Sequence, residues 1–248
     1  MSLPRLPTKS DFPSNLTIDI IPPSSATQKP VNILILLHGL GDIQIPFTRL
    51  ASQLKLPETA CLSIRGPNPI PSLFTGSDDP AFHWGDDVLF DEGKGQIDLD
   101  AGFKTAVEVL RRKIVEEILI KKCGYQKRNV LFYGFGQGGM AALTMVGGDE
   151  EEYGGVVSVG GGMSRSVATN SQKKAKTPVV VLGGSRSREV TRSKVDELKM
   201  RFENVEYVKW TKNDDGMPRS REEMLPIMKL FARRLRSRAG VPDGAVDL

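Results

Sequence analysis

The stretch Gly134-Phe135-Gly136-Gln137-Gly138-Gly139 has the residue types and spacing most able to carry chemistry. It follows the apolar run Val130-Leu131-Phe132-Tyr133 and precedes Met140-Ala141-Ala142-Leu143, so it belongs at a turn from a strand into a helix. Three readings compete. As G-x-G-x-x-G it fits a dinucleotide fingerprint through Gly134, Gly136 and Gly139, but that reading needs an acid at the end of the following strand. The following strand ends in Ser158-Val159-Gly160-Gly161, with no acid. As G-x-S-x-G with the serine replaced, the stretch is a nucleophile elbow in which Gly136 holds the nucleophile's place. Glycine accepts the strained backbone of such a turn, yet it supplies no oxygen to attack with. The third reading is a glycine turn that only lets a helix pack closely on a strand.

The remaining reactive residues are few. There are two histidines, His38 and His83, and two cysteines, Cys61 and Cys123. Neither set can build a zinc cluster or a disulfide framework, and no metal or cofactor is expected. Cys61, Ser158, Ser185 and Ser187 are conceivable nucleophiles, and Asp86, Asp87, Asp214 and Asp215 conceivable bases. Each is more simply read as part of a core strand, a turn or a solvated loop. Net charge is +4, from 34 Lys+Arg against 30 Asp+Glu, which is too mild to indicate nucleic acid without a motif. Part of the excess, Arg233, Arg234, Arg236 and Arg238, reads as a solvated helix face. The longest near-continuous apolar stretch, 31–37, is too short to cross a bilayer. The opening MSLPRLPTKSDFPSN has no apolar run of the secretory kind. These features together predict a reducing compartment, the cytoplasm, with the nucleus also open.

The elements that must position the glycine turn follow from hydrophobic pattern. The stretches 31–37, 60–64, 129–136, 154–161, 178–184 and 205–210 contain short apolar runs suited to strands, the first of them fitting one buried on both faces. Residues 98–123 carry Phe103, Val107, Leu110, Ile114 and Ile118 at spacings of three and four, which predicts a helix capped by Asp98 or Asp100 and ended by Gly124. Shorter helices are expected over 47–54, from Gly136 onward, and over 190–202. A final helix carries Met224, Met228, Phe231 and Leu235 on one stripe. Ser220 with Glu223 has capping-box spacing, but Pro226 argues for a start nearer Glu222. Residues 66–97 lack a period and read as a long functional loop or cover. The alternation gives an α/β fold, a mostly parallel central sheet with helices on both faces. The expected organisation is an N-terminal arm over 1–30 with one strand-like run at 16–21, a single domain over 31–240 and a tail over 241–248.

Taken in order, NILILLHGLGD, the loop with HWGDD, the long helix, LFYGFGQGGMAAL, TPVVVLGGSRS and the closing acidic-led helix resemble the α/β-hydrolase family of acyl-protein thioesterases and small phospholipase-carboxylesterases. The resemblance spans roughly 30–236. The family's elbow reads GFSQGG; here it reads GFGQGG. The resemblance implies an α/β-hydrolase fold and an oxyanion hole built from the backbone N–H groups of Leu40 and Gln137. It implies a pocket near His38, Phe82, His83, Trp84 and Met140.

It also implies a triad, and that is where this chain departs. Gly136 stands at the nucleophile. The acid is normally found in a pattern like HGxxD, and here Gly183-Gly184-Ser185-Arg186-Ser187 puts Ser187 in its place. The histidine belongs before the final helix, near Met217, where the chain reads TKNDDGMPRSREEM and has none. His38 belongs to the HG turn and fits a role in loop geometry; His83 is the one candidate for a surrogate base. The expectation is a catalytically degenerate hydrolase, a pseudoenzyme, that binds an acyl or ester-like ligand or a protein partner. The alternative is a working carboxylesterase or thioesterase with rearranged residues. Oligomeric state is not read from the sequence.

Overall fold

In the computed structural model of the chain, the structure describes residues 4–24, 30–91, 93, 96–165 and 173–238. Seven strands make one sheet: β1 (Ile18–Ile21), β2 (Asn32–Leu37), β3 (Thr59–Ile64), β4 (Val130–Phe135), β5 (Gly155–Val159), β6 (Val179–Gly183) and β7 (Val205–Lys209). Their spatial order is β1-β3-β2-β4-β5-β6-β7, with β1 antiparallel to β3 and every other pairing parallel. The predicted strands are present, each within a residue or two of its expected bounds.

Parallel strands are buried on both faces, and the alternation within each shows it. In β2, Ile33, Ile35 and Leu37 join one core while Leu34 and Leu36 join the other. β4 and β6 divide in the same way, Phe132 and Val181 against Tyr133 and Leu182. Helix α1 (Ile45–Leu54) and α5 (Arg221–Arg234) cover the second face through Phe47, Ala51, Ile227 and Phe231. The first face is covered by α2 (Lys104–Val107 continued by Glu108–Lys122), α3 (Gln137–Gly147) and α4 (Arg192–Arg201).

Helix α2 departs from its expected form. It begins at Lys104–Val107 and continues as Glu108–Lys122, which winds as a wider π-helix and turns Leu110, Ile114, Val115, Ile118 and Leu119 inward. Gly124 ends it at φ 81°, as the sequence indicated. The expected start and cap are both corrected. Asp98 and Asp100 lie ahead of the helix, where Asp100 accepts hydrogen bonds from the Ser164 hydroxyl and the Arg165 N–H. The cap comes from a remote loop: Asp86 accepts the Lys104 N–H at 2.8 Å and the Thr105 N–H at 2.7 Å. A carboxylate there satisfies two orphan donors and faces the positive end of the helix. Burial pushes the Asp86 carboxyl up, but the Thr105 and Lys104 N–H bonds outweigh it and hold the group below the usual carboxylate range. Its contribution is therefore complete above the ordinary Asp pKa and is lost as pH falls through the lowered one. Asp86→Ala should cost about 1–2 kcal/mol of unfolding free energy near neutral pH. Urea titration checks the value, and the loss should shrink in acid.

Helix α5 begins at Arg221 with Ser220 as cap, whose hydroxyl accepts the Glu223 N–H at 3.2 Å. The start is one residue before the expected Glu222, but Pro226 lies inside the helix and not in its first turn, which corrects its expected place. The cap and the buried Ile227, Leu230 and Phe231 outweigh one missing backbone bond. The N-terminal segment is tied to the domain where it is described. β1 pairs in the sheet, Phe12 is buried, and the Arg5 N–H donates to the Cys123 carbonyl at 3.0 Å. The tail over 241–248 lies outside the described residues. Among the described residues, no helix is long and apolar enough to cross a membrane.

Candidate active site

A single residue, Gly136, joins β4 to α3. Its backbone sits at φ 50° and ψ −117°, a region that L side chains enter only under strain. That is the geometry of an elbow, with the residue raised at the end of a strand and the next helix starting behind it. A Cβ built on Gly136 would meet nothing closer than the Gly39 Cα at 3.9 Å, so there is room for a side chain. Its neighbour Gly138 has none: a Cβ there would lie 2.4 Å from the His38 carbonyl oxygen and 2.6 Å from that of Leu37. The turn thus lets α3 press against the end of β2 while leaving the nucleophile's position open and empty of chemistry.

The HG turn lies against this elbow. The His38 ring is fully committed: Nε2 accepts the Gly66 N–H at 2.8 Å, which leaves Nδ1 to carry the proton and donate to the Gly39 carbonyl at 2.7 Å. The His38 carbonyl in turn accepts the Trp84 indole N–H at 2.9 Å. Burial lowers the imidazole below the usual histidine range, although the Gly39 carbonyl bond opposes it. This is a neutral ring that shapes a loop and has no free nitrogen with which to act as a base. Gly41, at φ 79°, donates to the Phe82 carbonyl at 2.9 Å, which fixes the turn around Leu40. Gln137 heads α3, where first-turn N–H groups have no helical acceptor. Its buried side chain anchors the long loop, accepting the Trp84 N–H at 2.7 Å and donating to the Leu99 carbonyl at 3.1 Å.

Of the five side chains expected to line a pocket, His38, His83, Trp84 and Met140 are buried, and Phe82 is half-buried under the Arg65 guanidinium. The geometry gathers His38, Trp84 and Gln137 at the elbow by direct bonds. His83 is held in a short ladder with Asn68, and its Nδ1 is buried with no partner among the described residues. Burial lowers its pKa, although Asp87 opposes that shift. Two buried histidines held neutral make the fold sensitive to acid. The unfolded chain binds protons near the usual 6.5 and the folded one lower, so stability should be complete above that value and fall below it. Urea unfolding at about pH 7.5 and about pH 5.5 should show this loss, and His83→Gln should reduce it.

The acid and histidine positions have been joined in another way. Ser187 donates its hydroxyl to Asp215 Oδ2 at 2.7 Å, and the Gly184 N–H donates to Asp215 Oδ1 at 2.8 Å. Asp215 belongs to the loop between β7 and α5, where the resemblance calls for the histidine, and it stands beside the elbow. A Cβ on Gly160 would be 2.8 Å from the Asp215 Cβ, and Val159, one residue earlier, accepts the Gly136 N–H. The carboxylate is therefore in the histidine's loop and a hydroxyl in the acid's. The loop is further fixed by Lys212, whose ammonium lies 4.0 Å above the Trp210 ring and bonds the Gly216 and Met217 carbonyls and Glu223. Met217 packs under the Tyr133 hydroxyl. The Ser187–Asp215 pair was hidden in the sequence, because only the fold brings positions 187 and 215 together.

The other conceivable nucleophiles and bases have structural roles. Ser158 spends its hydroxyl on the Gly161 carbonyl at 2.7 Å, and Ser185 bonds Asn213 at the surface. Burial pushes the Cys61 thiol up to about 12, far from thiolate. Asp87 caps the Val88 N–H, and Asp214 holds the Gly216 N–H and Arg219. No three His, Cys, Asp or Glu side chains among the described residues are placed to hold a metal.

Comparison with known proteins agrees with this architecture. The chain is 29% identical over 231 residues to an uncharacterized hydrolase of Schizosaccharomyces pombe, covering 91% of each. It is 32% identical over 117 residues to an uncharacterized hydrolase of Mycosarcoma maydis, covering 46% of this chain and 41% of that one. Among solved structures, esterase PE8 is similar with a TM-score of 0.67 at 17% identity, covering 89% of this chain and 99% of that one. Acyl-protein thioesterase 2 of Zea mays is similar with a TM-score of 0.62 at 20% identity, with the same coverage. Those two likenesses establish the fold. Residues 20–235 match the phospholipase/carboxylesterase family, and with a glycine elbow behind an HG turn on an α/β-hydrolase sheet, the chain belongs to that family.

Proposed function

We propose that this family member is a catalytically degenerate esterase or thioesterase whose work is binding, of an acyl or ester-like ligand or of a protein partner in the cytoplasm. The observation that carries the reading is the elbow itself: the residue raised at φ 50° between β4 and α3 is Gly136, which has no side chain. The Ser187–Asp215 bond supports it, because a carboxylate held by a serine hydroxyl and a backbone N–H cannot do the work of an imidazole that takes a proton from a serine and passes it to a leaving group. His38 is spent on loop geometry. What remains is a turn with backbone donors and the scaffold around it. A site reduced to an oxyanion hole and a binding surface retains only about 10³–10⁴ of acceleration over water. Turnover of a panel of p-nitrophenyl esters and acyl thioesters should stay far below about 1 s⁻¹; rates at or above that value, ordinary for enzymes, would overturn the reading.

A further inference from the structure

A separate cleft lies outside the elbow, between the N-terminal segment, the end of β3 and helix α2. It is lined by Asn15, Leu16, Thr17, Arg65, Pro67 and Lys113, among others. Two of these are cations, and neither meets a carboxylate within salt-bridge distance among the described residues; the bridges described there involve other side chains. Arg65 is held in place. Its backbone N–H donates to the Thr17 carbonyl at 3.0 Å, and its guanidinium carbon lies 4.0 Å from the centre of the Phe82 ring. That cation–π contact uses none of the guanidinium's N–H donors as hydrogen bonds. Lys113 is exposed on α2 and lines the same cleft. Asn15 and Thr17 add polar side chains, and Leu16, Pro67 and Val109 give an apolar border.

We propose that this cleft is a binding site for a small phosphate monoester, with the dianion between Arg65 and Lys113 and its organic group against Leu16, Pro67 and Val109. Two cations lining one cleft match a dianion better than a single carboxylate. A fixed planar guanidinium suits the bidentate geometry of phosphate, and an ammonium adds a point charge. The cleft holds about 90 Å³, enough for several water molecules and hence for one phosphate group, but not for a long acyl chain. The site sits at the carboxyl end of β3, on the ligand-binding edge of an open α/β sheet. It is also joined to the HG turn, because Gly66, next to Arg65, donates to His38. The inference stands apart from the inertness of Gly136 and does not need it.

Titration calorimetry with phenyl phosphate and with inorganic phosphate, at fixed ionic strength, tests it on the full chain. Phenyl phosphate should bind with a Kd of about 1 mM or tighter, more tightly than inorganic phosphate, and benzoate should bind at least about tenfold more weakly than phenyl phosphate. Lys113→Gln, at an exposed position with no packing role, should weaken phenyl phosphate about tenfold, and Arg65→Gln at least as much. Circular dichroism would confirm that each variant is folded; Lys113→Gln decides the matter if Arg65→Gln is not. No heat with either phosphate, equal affinity for benzoate, or unchanged affinity in Lys113→Gln would overturn the proposal.

Discussion

Gly136→Ser alone is expected to leave ester hydrolysis at background, while Gly136→Ser combined with Ser187→Asp and Asp215→His is expected to raise it by about 10² or more. The niche above Gly136 admits a hydroxymethyl group, since the nearest atom to its Cβ is 3.9 Å away. A serine there would nevertheless be a weak nucleophile, because the loop that should present an imidazole to it presents the Asp215 carboxylate, already bonded to Ser187 and Gly184. Both His38 nitrogens are bonded, and burial opposes its protonation. The two further changes exchange the carboxylate and hydroxyl now joined at 2.7 Å for a carboxylate and an imidazole at the same two positions. A positioned general base contributes typically 10²–10⁴, which sets the size of the gain. Initial rates with p-nitrophenyl butyrate for the parent, the single and the triple variant provide the test. A Gly136→Ser protein as active as the triple would mean a base other than position 215, with His83 the first to mutate.

Gly138→Ala is expected to destabilise the fold by about 3 kcal/mol or more, and Gly136→Ala by only about 1–3 kcal/mol, although the two glycines are neighbours in one turn. The difference lies in what the added methyl meets. At 138 it would press into the carbonyl oxygens of His38 and Leu37, backbone atoms that β2 and the HG turn hold firmly. Either α3 or β2 must then move, in a core where Ile33, Ile35 and Met140 are fully buried. At 136 the methyl enters open space, and the cost is the left-handed backbone alone. Chemical denaturation of the two alanine variants would separate steric from conformational cost. Similar values for both would mean that the approach of α3 to β2 is looser than described.

How much of this was legible in the sequence depends on whether the deciding interaction is local. The strands were, because a strand buried on both faces writes itself as a short unbroken apolar run, as in Asn32–Leu37 and Val179–Gly183. The elbow was legible as one of three readings, since its glycines must be small for reasons set within a few residues. The start of α2 was not. Its periodic pattern reaches back toward Asp98, but the cap is Asp86, which the long loop brings from 18 residues away. The place of Pro226 within α5 was not, because its local penalty is outweighed by packing against β5 and β6 that a sequence does not display. The pairing of Ser187 with Asp215 crosses 28 residues and a whole strand, so composition could mark both as polar loop residues and no more.

The missing nucleophile is tested most directly by intact-mass measurement of the protein after incubation with a reactive fluorophosphonate. Such a reagent needs an activated serine, and the candidates here are either absent, as at Gly136, or hydrogen-bonded to acceptors without an imidazole, as at Ser158 and Ser187. The expected result is a single mass, that of the unmodified chain, even after prolonged exposure. A stoichiometric adduct mapped to any serine near the elbow would contradict the account.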